Sequence, residues 1–290
     1  MYRIEEISDK DSLYPKRLLE IKNHPKKLYV MGNKELLNKP SIAIVGTRDI
    51  DEYGKEQAVR FSKYLGESGF TIISGLARGV DTYAHLASLD TIGKTIAVLP
   101  TGFNYIYPKE NKRLVDKILE NGGLIISEWE PNTKIDLYRF PIRNRIISGM
   151  SLGVLIVEAK YKSGSMITAE YALTQERDLF VIPGDIGKDR SHGTNKLVLD
   201  GAELVVSPKD IVLFYEMWER DLVKDLIKNP NVLERYLIVY DYINEDIPIS
   251  FNDLLELTNI NKERLGEILL MLELDGFIKE ERRKVYVRKQ

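Results

Sequence analysis

The sequence predicts an α/β protein: a doubly wound, mainly parallel sheet followed by a small C-terminal winged-helix domain. Three observations carry that expectation. Short runs rich in Val, Ile and Leu recur at 42–45, 71–73, 95–99, 124–126, 154–157, 179–182 and 203–206. Nearly continuous apolar runs mark strands covered on both faces, as in parallel sheets. Segments of helical spacing alternate with them, which is how a doubly wound sheet reads in sequence. After about residue 231 the pattern changes to short amphipathic helices and a closing pair of strand-like segments.

The first strand, 42–45, runs into Val45-Gly46-Thr47-Arg48. A helix follows over 53–68, with Ala58, Phe61 and Leu65 on one face. Further helices are expected over 83–91, 111–120, 167–175 and 195–200. Ser207-Pro208-Lys209-Asp210 opens the last helix of the sheet domain, which is expected to run to 220. It offers a capping serine, proline at the first helical position and an acid in the first turn. The polar stretch 221–231, with Asn229-Pro230-Asn231, reads as a linker. Helices then follow over 232–243, 250–257 and 261–275. Ser250 and Asp253 are placed to cap the second, and Leu265, Ile268, Leu269 and Leu272 form one stripe on the third. Gly276 is a stop, and 277–279 and 285–287 are expected to pair as a hairpin. Three helices and a hairpin make a winged-helix pattern; a small dimerising or capping domain is the alternative. The expected boundaries are a lead-in over 1–40, the sheet domain over 41–220, the linker over 221–231 and the terminal domain over 232–290.

Composition narrows the function classes. Of the 290 residues 43% are hydrophobic, enough for a sizeable core, and the net charge is −2. A nucleic-acid surface must therefore come from charge placement and not from excess. Cysteine is absent, which removes disulfides, thiolate metal sites and cysteine nucleophiles and fits a reducing, cytoplasmic setting. The start, Met1-Tyr-Arg-Ile-Glu-Glu, lacks the apolar core of a secretory signal. No run reaches the roughly 18 apolar residues of a membrane span, so no membrane partner is expected. His24, His85 and His192 show no metal spacing, so neither a metal nor a cofactor is expected. Glu158 and Asp185 lie at strand ends; they read first as loop-ordering acids, with a general-base role the alternative. The triphosphate loop Gly-x-x-x-x-Gly-Lys-Ser/Thr and the dinucleotide fingerprint Gly-x-Gly-x-x-Gly are both missing.

The segment Phe140-Pro-Ile-Arg-Asn-Arg-Ile-Ile-Ser-Gly is the strongest chemical signal. With Arg139 before it, three arginines (Arg139, Arg143, Arg145) and a ring fall within seven residues. Guanidinium forks match phosphate oxygens, and a ring offers a face to a base. A solvated helix start with one buried Phe is the plain alternative. Small-residue segments follow several strands: Gly46-Thr47-Arg48, 74–81, Ser163-Gly164-Ser165, 183–185 and 191–195. They fall where open α/β sheets bind ligands, and their amides and helix starts suit anions. One such glycine is often just a turn. Together they describe a long phosphate-lined groove. Tyr105, Tyr107 and Tyr138 lie near the same edge and read as packing.

In combination these segments resemble the DNA-processing protein A (DprA, or Smf) family. The matching stretches are Ile44-Val-Gly-Thr-Arg48, Ser74-Gly-Leu-Ala-Arg-Gly-Val-Asp81 with Ala84-His85, and Tyr107-Pro-Lys-Glu-Asn111. They continue with 140–149, Val157-Glu-Ala159, Ser163-Gly-Ser-Met-Ile-Thr-Ala169, Val181-Ile-Pro-Gly184 and Gly193-Thr-Asn195, in the family's order over about 10–215. The resemblance implies an extended Rossmann-like domain that binds single-stranded DNA. It implies a homodimer through that domain, a role in natural transformation, and help in loading the RecA recombinase. It implies no enzymatic reaction. Carried onto this chain, Gly46, Thr47 and Arg48 hold a phosphate and Phe140 meets a base. Arg143, Asn144 and Arg145 form or support the pocket wall, Arg139 and Lys109 add charge, and Ser163, Gly164 and Ser165 offer a further backbone nest. Two departures stand out. Gly-Thr-Arg replaces the family's Gly-Ser-Arg, and Leu99-Pro-Thr-Gly-Phe-Asn104 lacks one glycine and one acid of the usual loop.

Two other readings remain open on sequence. A nucleotide-processing, phosphoribohydrolase-like enzyme lacks its Pro-Gly-Gly-x-Gly-Thr-x-x-Glu motif here, the nearest text being Pro183-Gly-Asp-Ile-Gly187. A duplex-DNA regulator would use Arg282, Arg283, Lys284 and Arg288 on a wing, diluted by Glu280 and Glu281. The dimer surface is not legible, with the apolar helix 211–218 one candidate.

Overall fold

The computed structural model describes residues 2–218, 239–240, 242–243, 248–258, 260–274, 278–282 and 285–288. They fall in two compact units, 1–223 and 224–290. In the first, the strands are β1 (Glu5–Ser8), β2 (Lys27–Gly32), β3 (Ser41–Val45), β4 (Thr71–Ser74), β5 (Thr95–Leu99), β6 (Leu124–Ser127), β7 (Gly153–Ile156), β8 (Asp178–Val181) and β9 (Glu203–Leu204). The α-helices are α1 (Lys16–Leu19), α2 (Glu52–Glu67), α3 (Val80–Ser88), α4 (Lys112–Glu120), α5 (Arg139–Met150), α6 (Gly164–Thr174), α7 (His192–Leu199) and α8 (Pro208–Trp218).

One sheet takes all nine strands in the order β1-β2-β6-β5-β4-β3-β7-β8-β9. The run from β6 to β9 is parallel. The chain enters this run at β3, winds outward through β4, β5 and β6, then returns to start again at β7 beside β3. That reversal is a topological switch point, and ligand crevices open there, beyond the carboxyl ends of the strands. Every residue of β3, β4, β5 and β7 is buried, which is why these runs read as continuous apolar segments.

The lead-in is part of the sheet. β2 pairs antiparallel with β6, and β1 with β2. The same segment braces α5. Leu18 is fully buried, and a Cβ on Gly149 would meet its Cδ1 at 2.9 Å. Arg177 Nη2 donates to the Arg17 carbonyl (2.9 Å) and to Glu20 (2.8 Å).

Several helices begin earlier than their apolar spacing suggests. α3 starts at Val80, α6 at Gly164 and α7 at His192. Their first turns are the Gly- and Ser-rich stretches that read as loops, because a turn at a crevice carries no core-facing stripe. The apolar face of α8 is spent inside the chain. Ile211 and Tyr215 are fully buried, with Tyr215 stacked edge-on against Phe180 at 5.9 Å. Within the candidate dimer surface at 211–218, Ile211, Val212 and Tyr215 therefore face the chain's own core, and Leu213 is exposed.

The second unit contains α9 (Phe251–Thr258), α10 (Lys262–Leu274) and a three-stranded sheet of β10 (Ile249–Ser250), β12 (Val285–Arg288) and β11 (Ile278–Arg282), in that order. Ser250 and Asp253 cap α9 reciprocally. The Asp253 amide donates to Ser250 Oγ (3.2 Å), and the Ser250 amide to Asp253 Oδ2 (3.3 Å), the capping-box arrangement. The stripe Leu265, Ile268, Leu269 and Leu272 is buried against Phe251, Leu254, Ile278 and Tyr286. The expected linker 221–231, most of the expected helix 232–243, Gly276, and the basic residues Arg283 and Lys284 lie outside the described residues.

Candidate nucleic-acid interface

The site is built at the switch point from the loop after β3. A Cβ on Gly46 would meet Val80 Cγ2 at 2.5 Å and the Glu158 carbonyl at 2.9 Å, so close packing requires the glycine. The Thr47 amide donates to the Glu158 carbonyl (2.8 Å), and the Thr47 carbonyl accepts from the Val80 amide (3.2 Å). The Asp49 amide donates to Thr47 Oγ1 (3.2 Å). Arg190 grips Asp49 through its carbonyl (2.7 Å) and its carboxylate (2.8 Å). This loop is therefore tied down on both sides of Arg48, whose own side chain is exposed. The guanidinium stands 5.5 Å above the ring of half-buried Phe140, a cation–π contact that positions the fork. Tyr107 meets the same ring edge-on at 5.6 Å.

Three cavities run along the carboxyl ends of the strands. The first, about 450 Å³, is bounded by Gly46, Thr47, Arg48, Phe140, Asn144, Lys160, Lys162 and Ser163 to Ser165. The second, about 360 Å³, lies between Arg48, Arg78, Tyr107 and Phe140. The third, about 550 Å³, holds Tyr105, Tyr107, Lys109 and Lys112. Arg48 and Phe140 are walls of the first two, and Tyr107 of the last two, so the cavities join into one groove. At one end sits the start of α6. Ser163 Oγ caps no backbone amide of that helix; it pairs instead with Ser165 Oγ at 2.8 Å. Asn144 Nδ2 holds the Gly164 carbonyl (3.1 Å). The positive end of α6, flanked by exposed Lys160 and Lys162, suits an anion.

Other candidate nests are filled by the protein itself. Asp81, buried, accepts from the Gly75 (3.0 Å) and Ala77 (3.3 Å) amides. Asn195 bonds both the amide (3.2 Å) and the carbonyl (3.0 Å) of Gly184. The departing loop Leu99-Pro-Thr-Gly-Phe-Asn104 is held by 130–133: the Gly102 amide donates to the Thr133 carbonyl (2.9 Å), and Asn104 Nδ2 to Asn132 (2.6 Å).

The arginine cluster divides into three separate tasks. Arg143 is 4% exposed, and its Nη1 donates to the Gly75 (2.6 Å) and Val98 carbonyls. Burial lowers its pKa to about 10, with Asp81 opposing and Arg48 adding to the shift. A Cβ on Gly75 would come within 2.2 Å of that Nη1, so the glycine makes room for the guanidinium. Arg143 borders the first cavity, but its bonds join β4 to β5. Arg139 is taken up by the Lys134 carbonyl (2.6 Å) and lies 5.7 Å over Trp129. Arg145 pairs with Glu128 at 2.7 Å and is mostly buried. At about 100° per residue, 143 and 145 fall on opposite sides of α5. Neither Arg139 nor Arg145 lines the groove. The groove's cations are instead Arg48, Lys160 and Lys162, with Lys109 and Lys112 beyond. Sequence reasoning missed Lys160 and Lys162, although Lys160-Tyr-Lys162 directly precedes the Ser163-Gly-Ser nest. Beneath the Arg48 loop, Glu158 is buried. Its carboxyl is pushed up to about 7 by burial and by the charge of Asp51.

An exposed fork over a ring, beside a helix start and two lysines, suits a ligand that alternates phosphate with aromatic base. Among the described residues, no cluster of three or more His, Asp or Glu side chains could hold a metal, and no helix is long and apolar enough to cross a membrane.

The sequence profile of the DNA recombination-mediator protein A family matches residues 6–216, and the chain belongs to that family. DNA processing protein DprA of Streptococcus pneumoniae is 44% identical over 206 residues, 71% of this chain and 72% of that protein. Protein Smf of Escherichia coli is 38% identical over 282 residues, 91% of this chain and 72% of that protein. Among solved structures, the S. pneumoniae DprA X-ray structure matches with a TM-score of 0.69 at 42% identity, covering 73% of this chain and 74% of that one. DNA processing protein A from Helicobacter pylori, solved for its single-stranded DNA binding mode, matches with a TM-score of 0.67 at 32% identity, covering 74% of this chain and 97% of that one.

Proposed function

We propose that this chain binds single-stranded DNA in the switch-point groove and works as a recombination mediator. In that role it protects incoming strands during natural transformation and helps load the RecA recombinase. The observation that carries the reading is Arg48 held over Phe140 between cation-lined cavities. Arg48, Lys160, Lys162 and the start of α6 take phosphates, and Phe140 takes a base. Gly46 and Thr47 shape the loop that presents Arg48, while Arg143 and Asn144 brace the wall. Family membership and the single-strand-binding H. pylori relative support this reading. Single strands are favoured because a ring stacks an unpaired base, whereas duplex bases are stacked on one another. No reaction is assigned to the chain.

Fluorescence anisotropy with a labelled single strand and its matching duplex, across a salt series, tests the binding. The single strand binds more tightly, and three phosphate contacts give a salt slope near −2 at about −0.7 each. Duplex preference, or no binding to either, overturns the reading. Recombinase loading is checked by filament formation on strands coated with single-strand-binding protein, which this chain accelerates. A homodimer is part of the proposal. The sheet ends at the two-residue strand β9, and the exposed Leu199, Leu204 and Val206 at that edge support it; sedimentation at micromolar concentration tests it.

A further inference from the structure

The groove continues past Phe140. The third cavity opens on the far side of Tyr107 and is walled by Tyr105, Ile135, Lys109 and Lys112. Tyr105, Tyr107 and Ile135 are 39%, 40% and 44% exposed, so this apolar surface is only half covered. The backbone that carries it is nonetheless firmly held. The Tyr105 amide donates to the Gly102 carbonyl (3.0 Å) and the Asn104 amide to the Pro131 carbonyl (3.0 Å). Asn111 Nδ2 reaches the Leu76 carbonyl (2.9 Å) and Thr82 Oγ1 (2.9 Å). Two presented rings on ordered backbone are the form of a stacking platform.

Charge is arranged to match. Arg78, on the rim of the second cavity, is neutralised by Glu110. Lys109 and Lys112 have no acidic partner among the described residues. Lys112 is also the first residue of α4, so the positive end of that helix adds to its own charge.

We propose that this third cavity is a second nucleotide subsite, in which Tyr105 and Tyr107 receive a base and Lys109 and Lys112 the adjoining phosphate. The proposal rests on the reading that a single strand occupies the switch-point groove. Its occupant is the continuation of that strand, because Tyr107 is a wall common to the second and third cavities. The strand then crosses the carboxyl edge of the sheet from α6 towards α4, and tight binding requires a length that spans both ends.

Oligothymidylates of increasing length test this against wild type, Arg48→Ala and the double variant Tyr105→Ala/Lys112→Ala. Both altered side chains are exposed, and Tyr105→Phe, which keeps the ring, serves as the control. Wild-type affinity rises with length until both subsites are filled. The double variant matches wild type on the shortest strands, then loses about tenfold on longer ones, the size of one stacked base. Its salt slope falls by about 0.7, one phosphate contact. Tyr105→Phe behaves as wild type. Equal affinities at every length, or an equal loss at every length, overturn the subsite. If Arg48→Ala weakens all strands in those same cases, only the subsite fails. If Arg48→Ala also changes nothing, the switch-point reading fails with it.

Discussion

Replacing Arg143 with alanine separates a residue that holds the groove together from one that binds its ligand. Arg143 Nη1 serves two carbonyls, Gly75 and Val98, at the carboxyl ends of β4 and β5. The side chain is also the positive charge that opposes the buried Asp81 carboxylate. Removing it leaves two buried carbonyls without their charged donor, while Asp81 keeps its two amide donors. A hydrogen bond to a charged group is worth about 1.5–3 kcal/mol, so the two lost together cost about 3–6 kcal/mol. In a unit of this size about 1 kcal/mol moves Tm by roughly 2–4 °C, so Arg143→Ala melts about 6–24 °C below wild type. Arg48 is exposed, so Arg48→Ala costs about 0.5 kcal/mol or less, and its melt stays within roughly 2 °C. Calorimetric melting of both variants, beside single-strand binding, is the assay. Arg48→Ala keeps its Tm and loses binding; Arg143→Ala loses Tm first. An Arg143→Ala protein that melts with wild type yet fails to bind DNA refutes the reasoning and makes Arg143 a direct ligand contact.

Two further predictions concern the ring and the buried acid. Phe140→Ala weakens single-strand binding by about 1–3 kcal/mol with no change in salt slope, measured by anisotropy, while Phe140→Tyr retains affinity. Glu158 has a folded pKa raised from 4.5 to about 7, so the folded state holds this proton more tightly than the unfolded chain. Its contribution is therefore fully present below about pH 4.5 and is lost as pH rises through about 7. Glu158→Gln removes that titration and places an amide donor beside Asp51. Melts at pH 5 lie close to wild type, and at pH 8 the variant gains about 6–12 °C, the roughly 3 kcal/mol that corresponds to a pKa raised from 4.5 to about 7. An equal difference at both pH values would place the effect in packing.

The parts of the fold legible in the sequence are those whose signal is local. Ile42-Ala-Ile-Val45 and Thr95-Ile-Ala-Val-Leu99 announce themselves because both faces of these strands are covered. β1 does not, since Glu5-Glu-Ile-Ser8 at the sheet edge buries only Ile7. For the site, the types of residue at 139–145 were legible but their directions were not. Helical geometry fixes the angular separation around α5, but which side faces the groove depends on how that helix packs against the sheet. The task of Arg143 depends on carbonyls 68 and 45 residues away in sequence. The nest at 74–81 reads as a ligand site until Asp81 folds back into it. Tyr107 reads as packing because exposure at a groove wall leaves no mark on periodicity.

The central claim is that a single strand lies in the switch-point groove. The most direct measurement is photo-cross-linking of a strand carrying iodouracil at successive positions, with attachment sites mapped by mass spectrometry. Attachment is expected at Phe140 and Tyr107, lost in competition with unlabelled single strand. Attachment confined to residues 224–290, with the peptides of α5 unmodified, contradicts it.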